Sequence, residues 1–559
     1  YLQYIFWRDY LISLFAFKCG YYLPLTKQIF TVTVHNGGYG TASASPTSAE
    51  EGTEITLTAI PNSGYVFKEW SSTDSLVFTD GSKYTATAKF IMPAKNITVT
   101  ANWTSSSGGG SGSDGRSSDD DRDADRSNSP STPSTPSSSP SQDGVDIFIN
   151  EKKETAATAT TTQKGDKTVT TVIMDDEKVG QRLAQEGSNT VVTIPFSNGA
   201  DVAVGQLNGQ TVKNMENLEA VLEIKTDNVM YTIPASQINI DAVSQQIGED
   251  VELKDITVSI KISEPAADSV RIMEDTANAN NYLIAVEPVE FEITCSSGSK
   301  TVEVSKFNAY VERMIAIPEG IDSSKITTGV IVNPDGSFSH VPTVITIIDG
   351  KYYAKINSLT NSTYLLIYSP KTFKDIEKHW AREAVDDMAS RLVVNGAGED
   401  RFEPDRDITR GEFAAIVVRA LGLMRPGTGK DVFSDVSKDA WYYDAVTIAY
   451  EYNLIAGYGN GQFEAMDKIT REQAMTIVAR AMNITKLEVK LSEDETRTIL
   501  AGFTDANSAA GYAKTGIAAC VKTGIIFGRN KTTLAPKENI TRAEAAVIIR
   551  RLLQQSGLI

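Results

Sequence analysis

The sequence predicts a multidomain chain: a small β module, a polar linker, a β-rich, sandwich-like middle region and an all-α C-terminal array of three repeats. Three observations predict it. The pentapeptide Ile408-Thr409-Arg410-Gly411-Glu412 returns as Ile469-Thr470-Arg471-Glu472-Gln473 and as Ile540-Thr541-Arg542-Ala543-Glu544, each time ahead of an apolar run with helical spacing. Residues 105–144 are dominated by Ser, Gly, Pro and Asp, too poor in apolar side chains to order themselves. On both sides of that tract, short runs alternate apolar and polar residues, the period of a half-buried strand.

Residues 1–29 read as a leader remnant or a mis-started N-terminus. The chain opens on Tyr1, and its apolar run at 10–17 is too short to span a bilayer. No A-x-A cleavage site follows, and Ala16 and Lys18 make Cys19 a poor lipid anchor. Residues 30–104 form the β module. Alternating runs at 30–34 and 54–59 end in the turn sequences Gly37-Gly38-Tyr39-Gly40 and Pro61-Asn62-Ser63-Gly64, and a last strand covers 97–103. Tyr65, Phe67 and Trp70 fit a core better than a sugar platform. The order of these landmarks resembles the bacterial modules related to the internalin B-repeat, which implies a β-grasp-like spacer or adhesive unit.

The tract 105–144 is expected to be a disordered linker, flexible in its Gly/Ser half and extended in its Pro half. Asp121, Asp123 and Asp125 have the spacing of a calcium loop. Arg126 stands in place of the loop's Gly and Thr132 in place of its Glu, so they read as solvated charge. Residues 145–370 form the middle region, with strands at 168–173, 190–194, 219–224, 230–233, 256–262, 289–293, 343–349 and 364–368. Turns at Asn198-Gly199, Asn208-Gly209 and Pro334-Asp335-Gly336 separate them, and 236–246 is a single short helix. That pattern predicts one or two β-sandwich-like modules.

The repeats fill 371–430, 431–500 and 501–559. Thr409, Thr470 and Thr541, each followed three residues later by Glu412, Gln473 or Glu544, are capping boxes that start helices. Arg410, Arg471 and Arg542 then occupy the first helical position, where the helix dipole disfavours a cation by roughly 0.3–1 kcal/mol. Two readings of this thrice-repeated choice stay open: an ion pair with a carboxylate of the same domain, or a bound anion. Each repeat opens on an F-x-D element ending in Asp375, Asp435 or Asp505. An aromatic follows (Trp380, Trp441, Tyr512), then an amphipathic run, then a glycine read as a helix stop (Gly396, Gly457, Gly528). The offset from that glycine to the capping Thr is the same in all three.

These landmarks resemble three tandem S-layer homology domains. The resemblance implies a pseudo-threefold helical bundle that binds the secondary cell wall polysaccharide of a Gram-positive-type wall, often one bearing pyruvate ketals. It places ligand grooves between neighbouring repeats, lined by Asp375, Asp435, Asp505, the three aromatics, the three glycines and the three arginines. The second copy departs from the family pattern in Gln473 for Glu, and the third in Tyr512 for Trp and Arg529-Asn530-Lys531 after Gly528, which sets the third groove apart.

A formal net charge of −18 speaks against a nucleic-acid partner. Three distant cysteines, Cys19, Cys295 and Cys520, predict no structural disulfide. The three histidines, His35, His340 and His379, fall in three different domains. No His/Cys metal set, Ser-His-Asp constellation or Walker A loop can be built, and no cofactor is expected. The chain therefore reads as a secreted, extracellular cell-wall protein that is not an enzyme. Its β modules are available to other surface proteins or glycans, and no transmembrane segment is seen. The alternatives are a wall-anchored carbohydrate-active enzyme or an adhesin with its site in 145–370, or a lattice-forming S-layer subunit.

Overall fold

The computed structural model describes residues 29–105 and 144–559, apart from residues 63, 73–75, 77, 81–82, 166, 197–199, 249, 334 and 399. The leader, the linker and the turn at Asn198-Gly199 lie outside the described residues. The chain divides into two units, Tyr1–Asn128 and Ser129–Ile559.

In the first unit two four-stranded sheets share one core. One runs in the order Ser48–Glu50, Ile29–Asn36, Ile97–Ser105, Tyr65–Ser72, and the other Gly40–Ser45, Glu54–Pro61, Thr87–Ile91, Phe78–Asp80. Ile29–Asn36 and Ile97–Ser105 pair in parallel, with Val32 opposite Ile97. Val32, Ile97, Val99 and Trp70 are buried against Ile55, Leu57 and Phe90. Trp70 is a core residue, as expected, and Phe67 tilts against it at 5.3 Å. Tyr65 instead stacks on the exposed Tyr39 at 4.4 Å. The module is β-rich as predicted. Two sheets, with no helix among the described residues, replace the single helix-clasping sheet that a β-grasp description implies.

The middle region is β-rich, as expected, and is one continuous body where one or two β-sandwich-like modules were predicted. Sixteen strands make one hydrogen-bonded sheet. Two of its pairings are parallel: Lys167–Met174 with Val202–Asn208, and Val191–Pro195 with Val221–Lys225. Parallel neighbours need long crossovers, and the helices Asp176–Glu186 and Gly209–Asn217 lie within them. The sheet folds onto itself: a Cβ at Gly205 would sit 2.7 Å from Ile224 and 3.1 Å from Ile194. The first of these helices escapes a sequence reading because it buries only Val179 and Leu183. The expected turn at Asn208-Gly209 is the start of the second. The Asn208 side chain accepts from Thr211 N at 2.8 Å, since asparagine suits an N-cap as well as a turn. The helix expected at 236–246 is Ile240–Ile247, preceded by a short 3-10 turn at Ala235–Gln237. Cys295 and Cys520 are buried free thiols.

The sheet and the C-terminal helices meet along a packed seam. Tyr310 Oη donates to Leu421 O at 2.8 Å, and Arg391 donates to Thr343 O at 3.3 Å. Leu392 joins a cluster of Met273, Val330, Leu365 and Ile367. Gly422, at φ +67°, lies so close to the sheet that a Cβ would stand 2.8 Å from Pro342. His340 is buried in this seam, with Nδ1 2.7 Å from Thr328 Oγ1. Burial first, and the nearby Arg391 charge second, push its pKa down to about 3. The unfolded chain, with an ordinary histidine, takes up a proton near pH 6.5 that the folded chain refuses. Stability from this group is therefore complete above pH 6.5 and falls as the pH drops towards 3, by about 2–3 kcal/mol at pH 4.5. His340→Gln should flatten the decline in melting temperature between pH 6.5 and 4.5, and thermal unfolding across that range checks it. An unchanged slope would remove His340 as the cause.

Each C-terminal repeat contributes two helices: Arg382–Ser390 and Arg410–Ala420, Tyr443–Glu451 and Arg471–Ile484, Gly511–Lys522 and Arg542–Gln555. The second helix of each repeat packs on the first helix of the next, and the third repeat packs back on the first. A closed backbone ring fixes this cycle. Ile408 N donates to Ile540 O, Ile540 N to Ile469 O, and Ile469 N to Ile408 O, at 3.0–3.2 Å. All three isoleucines are fully buried. An additional helix, Glu493–Leu500, starts at a capping box of Ser492 and Glu495.

Candidate functional site

The three predicted capping boxes are present in full. Thr409, Thr470 and Thr541 accept from the amides of Glu412, Gln473 and Glu544, whose side chains accept from the threonine amides in return. The next two amides of each helix are also spoken for, because the following repeat supplies carbonyls to them. Arg410 N and Gly411 N donate to Asp467 O and Ala465 O, Arg471 N and Glu472 N to Glu538 O and Pro536 O, and Arg542 N and Ala543 N to Arg406 O and Pro404 O. These helix ends are joints between repeats and have no free amides there for an anion.

Asp375, Asp435 and Asp505 are clamps within their own repeats. Each uses both carboxylate oxygens on two consecutive amides at 2.7–2.9 Å: Phe402 and Glu403, Phe463 and Glu464, Leu534 and Ala535. The same residues receive the arginines from the other side. Nε of Arg542, Arg410 and Arg471 donates to the carbonyls of Phe402, Phe463 and Leu534 at 2.7, 2.9 and 2.8 Å.

The glycines are not helix stops. The chain leaves each first helix through a left-handed residue, Leu392, Asn453 or Gly524, four positions before Gly396, Gly457 or Gly528. The glycines serve close approach: a Cβ on them would lie 2.7, 2.7 and 3.1 Å from the rings of Phe373, Phe433 and Phe503. Trp380, Trp441 and Tyr512 stand exposed, at 66, 61 and 63%.

The arginines take neither of the two expected roles uniformly. Arg471 pairs with Glu544 at 2.9 Å and Arg542 with Glu412 at 3.3 Å. The partner is thus the capping glutamate of the next repeat, not a carboxylate of the same one. Each glutamate holds a further guanidinium: Arg529 lies 3.0 Å from Glu544 and Arg406 lies 2.6 Å from Glu412. Burial works to raise both carboxyls, but the hydrogen-bonded arginines prevail and hold them below the usual range. Arg410 differs, because the next capping residue is Gln473. Among the described residues it has no ion-pair partner, and its Nη atoms make no hydrogen bond to the protein. The guanidinium lies 4.5 Å from the Tyr458 ring and 4.6 Å from the Phe463 ring.

Arg410, 7% exposed, borders a cavity of about 250 Å³ lined also by Gly457, Tyr458, Gln473, Arg480 and Tyr512. This groove takes Arg410 from the first repeat, a loop and helix from the second, and its aromatic from the third. Trp380 and Trp441, the aromatics expected beside the arginine, are not among its lining residues. Tyr458 and Arg480 were missed in the sequence because neither belongs to the repeated pentapeptide. Among the described residues no cluster suited to a metal ion is found.

Profile comparison matches the S-layer homology domain at residues 372–414, 432–475 and 502–546. The chain carries three S-layer homology domains. A divergent InlB B-repeat domain is matched at 30–107. An amylopullulanase of Thermoanaerobacterium thermosulfurigenes is 28% identical over 393 residues, 67% of this chain and 20% of that protein. An exoglucanase XynX of Acetivibrio thermocellus is 36% identical over 186 residues, 33% of this chain and 16% of its own. A surface-layer 125 kDa protein of Lysinibacillus sphaericus is 32% identical over 203 residues, 35% and 16%. The chain thus spans a fifth or less of these relatives. The first match is too long to be confined to the S-layer homology domains, so it also takes in chain outside them. The domains and the surface-layer relative indicate a cell-surface protein. No helix of the described residues is long and apolar enough to cross a membrane.

Proposed function

We propose that the S-layer homology domains hold this secreted chain non-covalently to a secondary cell wall polysaccharide bearing carboxylates, as on pyruvylated sugars, and so display its β modules at the cell surface. The observation that carries this reading is the buried guanidinium of Arg410. It has no ion-pair partner among the described residues and faces a cavity walled by Tyr458 and Tyr512. A planar guanidinium offers paired donors to a carboxylate, and an aromatic ring offers a face to a sugar. The middle sheet, packed on the bundle at Gly422 and Tyr310, acts as a stem on the anchor. Co-sedimentation of the full chain with purified Gram-positive walls tests the reading. Retention by intact walls and none by walls stripped of their secondary polysaccharide is expected, and equal retention by both would refute it.

Relatives named as an amylopullulanase and an exoglucanase favour a second reading, in which the chain is part of a wall-anchored carbohydrate-active enzyme. Release of reducing sugar from starch or β-glucan by the full chain would support that reading.

A further inference from the structure

We infer that Gln473 selects the groove at Arg410 as the anion-accepting one of the three. The inference rests on the wall-polymer reading above. The third helical residue of each capping box has two tasks. It accepts from the amide of its own threonine, and it faces the arginine of the preceding repeat. Glu544 and Glu412 do both, at 2.9 Å from Arg471 and 3.3 Å from Arg542. Gln473 performs the first task, with Oε1 accepting from Thr470 N at 3.0 Å. A neutral amide brings no charge to the second.

The consequence is electrostatic. Around the other two arginines the charge is matched from within: Arg542 and Arg406 face Glu412 and Glu403, and Arg471 and Arg529 face Glu544 and Glu538. An anion entering there must displace a half-buried carboxylate. In the groove of Arg410 the second cation is Arg480, which donates only to Leu454 O at 3.2 Å. The charge of Glu464 acts on Arg410 without forming a salt bridge with it. A guanidinium at 7% exposure without a counter-ion is a costly arrangement, and an incoming carboxylate supplies the missing charge at no cost in broken pairs. Glutamine thus keeps the helix cap and opens the site, whereas glutamate would keep the cap and close it.

The test uses the full chain in three forms, wild type, Gln473→Glu and Glu544→Gln, with sodium pyruvate as a small carboxylate probe at constant ionic strength. Pyruvate should raise the melting temperature of wild type and leave that of Gln473→Glu unchanged. Retention by polysaccharide-bearing walls should fall at least tenfold in Gln473→Glu, whose melting temperature without ligand is equal to or above that of wild type. Glu544→Gln should gain a second open groove and bind walls several-fold more tightly, because two sites then act on one polymer. A folded Gln473→Glu that binds walls and pyruvate like wild type overturns the inference. Should that variant fail to fold, unchanged retention by Glu544→Gln overturns it instead. Wild type that responds to pyruvate but ignores walls would leave groove selection standing and end the wall-polymer reading.

Discussion

Arg471→Ala should lower the stability of the C-terminal bundle by about 2–4 kcal/mol, while Arg410→Ala should melt near wild type and lose at least tenfold in wall retention. The two residues occupy the same place in successive repeats, and their surroundings separate them. Arg471 is 3% exposed and ties two repeats together by bonds to Leu534 O and Glu544. Its removal leaves that carbonyl unpartnered and Glu544 with Arg529 as its remaining close cation. Charge-assisted bonds of this kind are worth roughly 1.5–3 kcal/mol each when buried. Arg410 makes one hydrogen bond to the protein side-on, to Phe463 O, and directs no charge into a pair. Its loss costs the bundle one such bond, offset by the relief of a buried charge without an ion-pair partner, and removes the charge that meets the ligand. Arg410→Lys should also bind more weakly, since an ammonium cannot engage a carboxylate through a planar fork. Calorimetry and wall co-sedimentation on the same preparations decide it. A stable, non-binding Arg471→Ala beside an unstable, binding Arg410→Ala would reverse the assignment.

Arg313→Ala should destabilise the middle region by about 3–5 kcal/mol. This arginine lies on the strand Lys306–Ala316, wholly excluded from solvent and without an ion-pair partner among the described residues. Its guanidinium donates to Val311 O and Thr360 O at 2.8 Å and to Asn361 Oδ1 at 2.9 Å. The rings of Tyr231 and Tyr364 lie 4.8 Å away, and those of Phe291 and Phe307 lie 5.4 and 5.7 Å away. Carbonyl dipoles and π faces thus stand in for a carboxylate. Tyr231 is itself bonded to Asn361 and Tyr364 to Thr360 O, so the cage is held in place from outside. Alanine would remove three charge-assisted hydrogen bonds and leave a void among four rings. Lysine, with the charge but not the fork, should lose about 1–3 kcal/mol. Denaturant unfolding of the full chain measures both, and a loss below about 1 kcal/mol for alanine would show that the cage is dispensable.

What the sequence determined by itself was local. The capping boxes, the strand runs and the six repeat helices depend on residues a few positions apart, and Thr409, Thr470 and Thr541 start their helices where the pattern of Thr and Glu or Gln predicts. The resemblance of the triplicated landmarks to S-layer homology domains implied a pseudo-threefold bundle. Where one local signal serves two structures, the reading failed: Asn208-Gly209 suits a turn or a cap, and in the fold Asn208 is the cap. The glycines at 396, 457 and 528 looked like helix stops because glycine favours them. The rings of the F-x-D phenylalanines, more than twenty residues earlier in the chain, exclude a side chain there, together with loop carbonyls at Gly457 and Gly528. Tertiary structure alone decided which arginine is free. The partners of Arg471 and Arg542 lie in the next repeat around the ring, on helices that begin far away in sequence. Whether a buried charge is paired depends on what the fold brings within about 4 Å, the reach of a salt bridge. Gln473 was visible in the sequence as a departure. Its meaning appeared only when the fold set it in the place where the other two repeats hold a carboxylate against an arginine.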